Sequence, residues 1–189
     1  MRDNLTELPG DLPVPVDDGG AAHLPGLAMP ALELATTKGG TMRVDEVPAG
    51  HTRLVLYAYP RTGRPDTPVP GEWDAIPGAR GCTPESCGFR DHSADLAAAG
   101  AAVAGLSTQD TAYQAEAAER LHLPFPLLSD ADLRLARALR LPTFEFDGET
   151  LIKRLTLVVR DGVIEHAFYP VFPPDGHAAE VLAWLRARP

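Results

Sequence analysis

The sequence lacks several features that define common protein classes. It has no run of about 18 continuous apolar residues, which a membrane-spanning helix needs. It has only two cysteines among 189 residues, too few for a disulfide-stapled scaffold. It has no excess of basic residues, since 17 Lys and Arg stand against 26 Asp and Glu, a net charge of −9. These shortages argue against a membrane protein, a small secreted disulfide domain, and nucleic acid or an anionic membrane as a partner.

The remaining composition is typical of a globular protein, with 44% hydrophobic and 23% charged residues. A chain of 189 residues predicts one folded domain, which we place at residues 27–189. Residues 1–26 are rich in Pro, Gly and Asp and predict an extended arm. Residues 1–10 lack a basic start followed by an apolar run, so no signal peptide is predicted and a cytoplasmic setting is expected.

The apolar patterns predict strands that alternate with helices. The run Arg53–Tyr59 is apolar on both faces and predicts a central strand of a covered sheet. Further strands are predicted at 30–34, 42–44, 101–106, 125–128, 151–159 and 163–169, and helices at 83–99, 109–122, 131–139 and 176–188. Residues 141–146 are predicted to be irregular. The order predicts an α/β fold, a thioredoxin-like α/β/α sandwich with a mixed central sheet.

Both cysteines lie in one short stretch, GCTPESCGFRD at residues 81–91. Thr83 suits a helix N-cap and Pro84 suits the first helical position, so a helix is predicted to begin here. Cys82 then lies at the helix N-terminus, where free N–H groups and the helix dipole favour an anion. We expect this position to lower the pKa of the Cys82 thiol and to make it reactive.

The stretch and its surroundings resemble the peroxiredoxins, in particular the Q-type, or bacterioferritin comigratory protein, subfamily. The resemblance extends over roughly residues 26–188. Its most specific part is the Gly-Cys-Thr sequence with a second cysteine five residues after the first. The other matching stretches are YP at 59–60, AGLS at 104–107, PLLSD at 126–130, KRLTLV at 153–158 and VIEH at 163–166.

The resemblance implies a thiol-dependent peroxidase that reduces hydrogen peroxide or organic hydroperoxides. By position, Cys82 is the peroxidatic cysteine that becomes a sulfenic acid, and Cys87 is the resolving cysteine that closes an intramolecular disulfide. Arg154 matches the family's active-site arginine, which would stabilise the Cys82 thiolate. The resemblance implies thioredoxin or a similar thiol as reductant, no metal, haem or flavin, and a monomer or weak dimer.

The sequence departs from the family pattern just before Cys82. The family has Pro-x-x-x-Thr-x-x-Cys, whereas Ala75 and Ala79 stand at the positions of the proline and threonine here. Residues 61–78 are therefore interpreted as an insertion inside the motif. Pro60 then keeps the place of the family proline, and Thr62 or Thr67 is the candidate to replace the threonine that binds the peroxide; a backbone N–H is the alternative.

An intact helix would keep the two cysteines apart. Residues five positions apart on a helix have Cα atoms roughly 8–9 Å apart. A disulfide needs a Cα separation of less than about 7 Å. We therefore expect the first turns of the helix to unwind on oxidation.

Other interpretations of the cysteines remain open at this point. Two cysteines could be small core residues. A metal site of Cys82, Cys87 and His92 is disfavoured, because these positions point in different directions on one helix. A copper-binding protein of the thioredoxin fold, with His166 as the third ligand, is the better alternative. A thiol-disulfide exchange protein would have Cys-x-x-Cys, which is absent from the sequence.

Overall fold

The computed structural model describes residue 5 and residues 7–65, 67–68 and 70–189. Nine strands are formed there: β1 Glu33–Thr36, β2 Thr41–Arg43, β3 Arg53–Ala58, β4 Ala101–Ser107, β5 Leu127–Ser129, β6 Thr143–Phe146, β7 Glu149–Ile152, β8 Leu155–Arg160 and β9 Val163–Phe168. The α-helices are α1 Cys82–Asp91, α2 Ser93–Ala98, α3 Thr111–Arg120, α4 Arg134–Leu139 and α5 His177–Arg186. Short 3-10 turns lie at Trp73–Ala75 and Pro174–Gly176. None of the helices in the described part of the chain is long and apolar enough to span a membrane.

Seven strands form one mixed sheet in the order β2-β1-β5-β4-β3-β8-β9. The central strands β3, β4 and β5 are parallel, and β8 joins β3 in antiparallel orientation. Strand β3 is buried throughout because its alternate side chains enter two separate cores. Leu54 and Leu56 face the core under α4, whereas Val55 and Tyr57 face the core that α1, α2 and α5 cover. This arrangement confirms the predicted layers of an α/β/α sandwich.

The end of the predicted N-terminal arm packs against this sheet. Ala21 and Leu24 are buried in the core on the α4 side. Asp18, further back along the arm, accepts hydrogen bonds from Lys153 Nζ at 2.6 Å and from the Tyr169 hydroxyl at 2.7 Å. The division of the chain into an arm of residues 1–26 and a domain of residues 27–189 remains a proposal.

Three predicted elements differ in the structure. The helix predicted at 83–99 is divided at His92, whose backbone N–H and Nδ1 both contact the Gly88 carbonyl, at 3.1 and 3.0 Å. The prediction of irregular structure at 141–146 was wrong, because β6 and β7 form a separate hairpin. Its turn, Asp147-Gly148, has positive φ at both residues, 53° and 77°, as a tight hairpin turn requires. The strand predicted at 151–159 is interrupted, so that Arg154 lies between β7 and β8.

Candidate active site

Cys82 is the first residue of α1 and lies at the bottom of a closely packed turn. The preceding Gly81 has a φ of 105°, a left-handed conformation that favours glycine. A Cβ atom at this position would lie 2.3 Å from Pro174 Cγ and 3.0 Å from Leu8 Cδ2. No side chain fits there, so Gly81 allows the loop to turn directly into the helix. The Cys82 side chain is consequently buried, with 3% of its surface exposed.

Arg154 reaches Cys82 from the junction of β7 and β8. Its Nη2 lies 3.2 Å from Cys82 Sγ. The same nitrogen donates to the carbonyls of Ala79 at 3.2 Å and Arg80 at 3.1 Å, and Nε donates to the carbonyl of Gly78 at 3.2 Å. Three successive backbone carbonyls thus fix the guanidinium plane beside the sulfur atom. Such a fork of donors holds its direction better than a flexible ammonium group does.

Glu85 completes a buried group of charges around Arg154. It lies one turn after Cys82 on α1, and its Oε2 accepts a hydrogen bond from Arg154 Nη1. Both side chains are inaccessible to solvent, and Glu85 Oε1 has no hydrogen-bond partner among the described residues. Burial raises the pKa of Glu85, against the opposing effect of the Arg154 charge. Cys82 and Glu85 therefore share one buried cation.

The predicted lowering of the Cys82 pKa is not what the structure gives. Burial raises the pKa of the thiol above its ordinary value, and the negative charge of Glu85 acts in the same direction. The Arg154 charge and hydrogen bond, together with the Arg61 backbone N–H, lower that pKa and offset only part of the effect of burial. The helix N-terminus argument failed because it ignored desolvation, which opposes any buried anion.

A cavity of about 590 Å³ opens beside Cys82. Thr62 lines it and is held in place by Gln109. The Thr62 backbone N–H and hydroxyl donate to Gln109 Oε1 at 2.9 and 3.2 Å, and Gln109 Nε2 donates to the Thr62 carbonyl at 3.2 Å. Thr67 also lines the cavity, whereas Pro60 is buried and is not part of its wall. Trp73, from the predicted insertion, closes one side and contacts the ring of Phe146 on β6.

Cys87 lies in the second turn of α1 and outside this cavity. Both cysteines are free thiols, and Cys87 is half-buried. Burial raises the pKa of the Cys87 thiol, and the nearby charge of Arg90 opposes that change. Arg90 is itself fixed by a 2.9 Å hydrogen bond to the Leu121 carbonyl and a 2.8 Å bond to Asp91.

The structure thus places Cys82 and Arg154 in contact and Thr62 in the same cavity wall, with Cys87 apart on an intact helix. Sequence reasoning missed Glu85, although its position three residues after Cys82 in a predicted helix was a usable signal. It also missed Gln109. Sequence reasoning also assigned no role to His177, which is buried with its Nε2 2.8 Å from Thr156 Oγ1.

The histidines of the metal-binding alternatives have other contacts. His166 stacks on Trp184 with ring centroids 4.9 Å apart. His92 contacts the carbonyl of Gly88. Within the part of the chain that the structure describes, no three His, Cys, Asp or Glu side chains form a group that could hold a metal ion.

Comparison with known proteins identifies the family. The Redoxin family profile matches residues 24–183. Peroxiredoxin Bcp of Escherichia coli is 33% identical over 138 residues, which cover 71% of this chain and 78% of that protein. Chloroplastic peroxiredoxin Q of Arabidopsis thaliana is 32% identical over 134 residues, 70% of this chain and 54% of that protein.

Solved structures agree with this match. Peroxidoxin BcpB from Mycobacterium tuberculosis superposes with a TM-score of 0.71 at 29% identity, over 88% of this chain and 99% of that one. The bacterioferritin comigratory protein of Xanthomonas campestris, a structure that concerns alkyl peroxide reduction, gives a TM-score of 0.62 at 25% identity, over 94% and 98% of the two chains. These likenesses confirm the thioredoxin-like sandwich.

A thioredoxin-like sandwich with a buried cysteine at the first turn of a helix and an arginine against its sulfur defines a thiol-based redox protein. The chain belongs to the redoxin family and, within it, to the peroxiredoxins of the Bcp, or Q, type. It is a thiol-dependent peroxidase, and the alternative of a copper-binding or thiol-disulfide exchange protein is not favoured.

Proposed function

We propose that this protein reduces hydroperoxides at Cys82 and resolves the oxidised cysteine through Cys87. The observation that carries the proposal is the 3.2 Å contact between Arg154 Nη2 and Cys82 Sγ beside a cavity that a peroxide can enter. An arginine in contact with a buried thiol favours ionisation of that thiol, since a fixed positive charge stabilises a thiolate.

The first step is attack of the Cys82 thiolate on one oxygen of the peroxide. The S–O bond forms as the O–O bond breaks, and the leaving oxygen takes up the proton that the thiol released. One hydroperoxide thus becomes one alcohol or water, and Cys82 becomes a sulfenic acid. The Arg154 guanidinium, which is held by the loop carbonyls, stabilises the negative charge as it moves from sulfur to oxygen.

The peroxide is positioned by the segment that follows β3. The Arg61 backbone N–H lowers the pKa of the Cys82 thiol, and the buried Thr62 lies in the cavity wall. In the family a threonine binds the peroxide, and this chain has no threonine at that position. We assign peroxide binding to this segment instead, with the Arg61 N–H as a donor to the peroxide. Ala79, which occupies the in-register position of the threonine, contributes its carbonyl instead, 3.6 Å from the Cys82 sulfur.

In the second step the Cys87 thiol attacks the sulfenic acid, and a disulfide and one water are formed. Two external thiols then reduce the disulfide, and we propose thioredoxin or a similar dithiol as their source. Because both cysteines lie on one chain, catalysis needs no second subunit, so a monomer or weak dimer is proposed. The cytoplasmic setting expected from the sequence also remains a proposal.

Intact mass after one equivalent of hydrogen peroxide tests both cysteine roles. The reduced wild type is expected to lose two hydrogens rapidly, which marks the disulfide. Cys87→Ser is expected to gain one oxygen, trapped as the Cys82 sulfenic acid by a dimedone-type reagent. Cys82→Ser is expected to stay unmodified on the same time scale.

Other outcomes would contradict particular parts of the proposal. Rapid oxidation of Cys82→Ser would move the peroxidatic role to Cys87. Slow oxidation of both cysteines in the wild type would exclude peroxidase function for this site.

A further inference from the structure

The cavity at Cys82 is much larger than hydrogen peroxide requires. Its volume of about 590 Å³ is within the range of sites that hold organic ligands. One water molecule occupies about 30 Å³ in the liquid, so a two-oxygen substrate would leave most of this space to solvent. The cavity therefore has room for a hydroperoxide with an organic tail.

The charged residues around this cavity differ in whether they have an ion-pair or hydrogen-bond partner. Arg61, Arg64 and Arg80 line it, together with Asp110 and Glu149. Glu149 lies 3.5 Å from Arg61, and Asp110 caps α3 by accepting the Tyr113 backbone N–H at 2.7 Å. Arg80 pairs with Asp74 at 3.2 Å.

Arg64 differs from the other two arginines. Its guanidinium carbon lies over the Tyr113 ring, 4.1 Å from the ring centre, a cation–π contact between two residues of the cavity wall. Its Nε is buried and has no hydrogen-bond partner among the described residues, and no described carboxylate pairs with it. Arg64 is therefore the arginine of this cavity wall whose charge no described carboxylate balances, so an anionic ligand in the cavity would find it available.

The segment that carries Arg64 is held in place before any ligand binds. Gln109 makes three hydrogen bonds to the neighbouring Thr62, and Arg120 Nη2 donates to the Gly63 carbonyl at 3.0 Å. Arg120 is in turn fixed by Glu116 at 2.7 Å. A prearranged cation binds an anion with less loss of conformational entropy than a mobile one.

We propose that Arg64 selects organic hydroperoxides whose tail carries a carboxylate. The peroxide group lies at Cys82, the tail extends along the wall of Trp73 and Tyr113, and the carboxylate accepts hydrogen bonds from Arg64. This assignment of substrate class rests on the proposed peroxidase function of the same site. A charge-assisted hydrogen bond of this kind is expected to raise the preference for the anionic substrate about tenfold.

The test uses two substrates that differ in one group, cumene hydroperoxide and its para-carboxylate analogue. The ratio of their kcat/KM values is measured for the wild type, Arg64→Gln, Arg64→Lys and the control Arg160→Gln. Arg160 is an exposed arginine at the far end of β8 from Arg154, so its loss changes the net charge equally. The wild-type ratio should be about ten, fall towards one in Arg64→Gln, and persist in Arg64→Lys and Arg160→Gln.

A second measurement does not depend on turnover. Binding of the two product alcohols, with and without the para-carboxylate, is followed by calorimetry on the reduced proteins. If both substrates are consumed but Arg64→Gln leaves the ratio and the binding unchanged, the role of Arg64 is overturned while the peroxidase function stands. If hydrogen peroxide is not consumed but the carboxylate alcohol binds in an Arg64-dependent way, the peroxidase function fails and the anion site stands.

Discussion

The two ends of α1 differ in how firmly they are held. At the Cys82 end, the sulfur lies against Arg154 and Glu85 is fully buried. Pro174 and Leu8 leave no room for a side chain at Gly81, the residue before Cys82. At the Cys87 end, the cysteine is half-buried and is followed by a glycine, and the helix ends at Asp91 before a short second helix. Judged by the surroundings of the two cysteines, one helix thus contains a rigid half and a less constrained half, although Phe89 in the second half is buried and stacks on Tyr57.

This difference matches the different demands that the proposed roles place on the two cysteines. A thiolate that attacks peroxide gains from fixed charges, because a preorganised site needs no rearrangement during the reaction. A resolving thiol must travel, since helical Cα atoms five positions apart are roughly 8–9 Å from each other and a disulfide allows less than about 7 Å. The sequence predicted unwinding of the first turns of the helix; from the structure we instead expect the Cys87 half of α1 to unwind while the Cys82 half keeps its charges in place.

The largest effect is expected from removing the fixed charge at the rigid end. Arg154→Gln should lower the rate constant for hydrogen peroxide by about 10²–10³-fold, because the charge that stabilises the Cys82 thiolate is lost. The pKa of the thiol should rise further, so the rate should reach its plateau at higher pH. Stopped-flow oxidation of the variant in a Cys87→Ser background between pH 6 and 10 measures both changes.

The matched control for Arg154→Gln is again Arg160→Gln, which should keep the wild-type rate and pH profile. An Arg154→Gln profile that moves to lower pH would contradict the electrostatic role assigned here. A rate within about threefold of wild type would show that the Cys82 thiolate forms and reacts without help from the cation.

A smaller change of opposite sign is expected from Glu85→Gln. The Glu85 carboxylate raises the pKa of Cys82, so its replacement by a neutral amide should lower that pKa and increase the thiolate fraction. The amide oxygen can still accept the Arg154 hydrogen bond. The rise of thiolate absorbance near 240 nm with pH should therefore begin at lower pH, and the peroxide rate near pH 7 should increase several-fold.

Glu119→Gln removes an equal charge from an exposed position on α3 and should leave the titration of Cys82 unchanged. A Cys82 pKa that rises in Glu85→Gln would mean that Glu85 acts mainly by positioning Arg154. The two variants at Arg154 and Glu85 together test whether these residues affect the reactivity of Cys82 through their charges or through the position of the guanidinium.

The sequence predicted the sheet better than the site. The apolar runs in β3 and β4 identified the central strands, and those at 151–159 and 163–169 identified the last hairpin, because their patterns are local. Arg154 and Cys82 are 72 residues apart, so their contact came only from the resemblance to a family. The pKa of Cys82 could not be predicted, since it depends on how completely the loops of residues 61–81 bury the sulfur.

The smallest effect is expected at the less constrained end, from Gly88→Ala. A Cβ atom there would lie 3.4 Å from the Asp175 carbonyl oxygen and 3.5 Å from Ala178 Cβ, which are ordinary contacts. Alanine stabilises a helix interior by about 0.5–1 kcal/mol relative to glycine, so unwinding should become harder. Disulfide formation after peroxide addition should slow about two- to fivefold, measured by quenched intact mass, while sulfenic acid formation at Cys82 keeps its rate.

Hydrogen exchange of residues 85–91 should increase on oxidation in both proteins, and less in the variant. Gly10→Ala is the control, because a Cβ atom there would meet no atom within 4 Å beyond its chain neighbours. An unchanged resolution rate, or an oxidised protein that keeps the exchange protection of α1, would mean that the bridge forms by another movement.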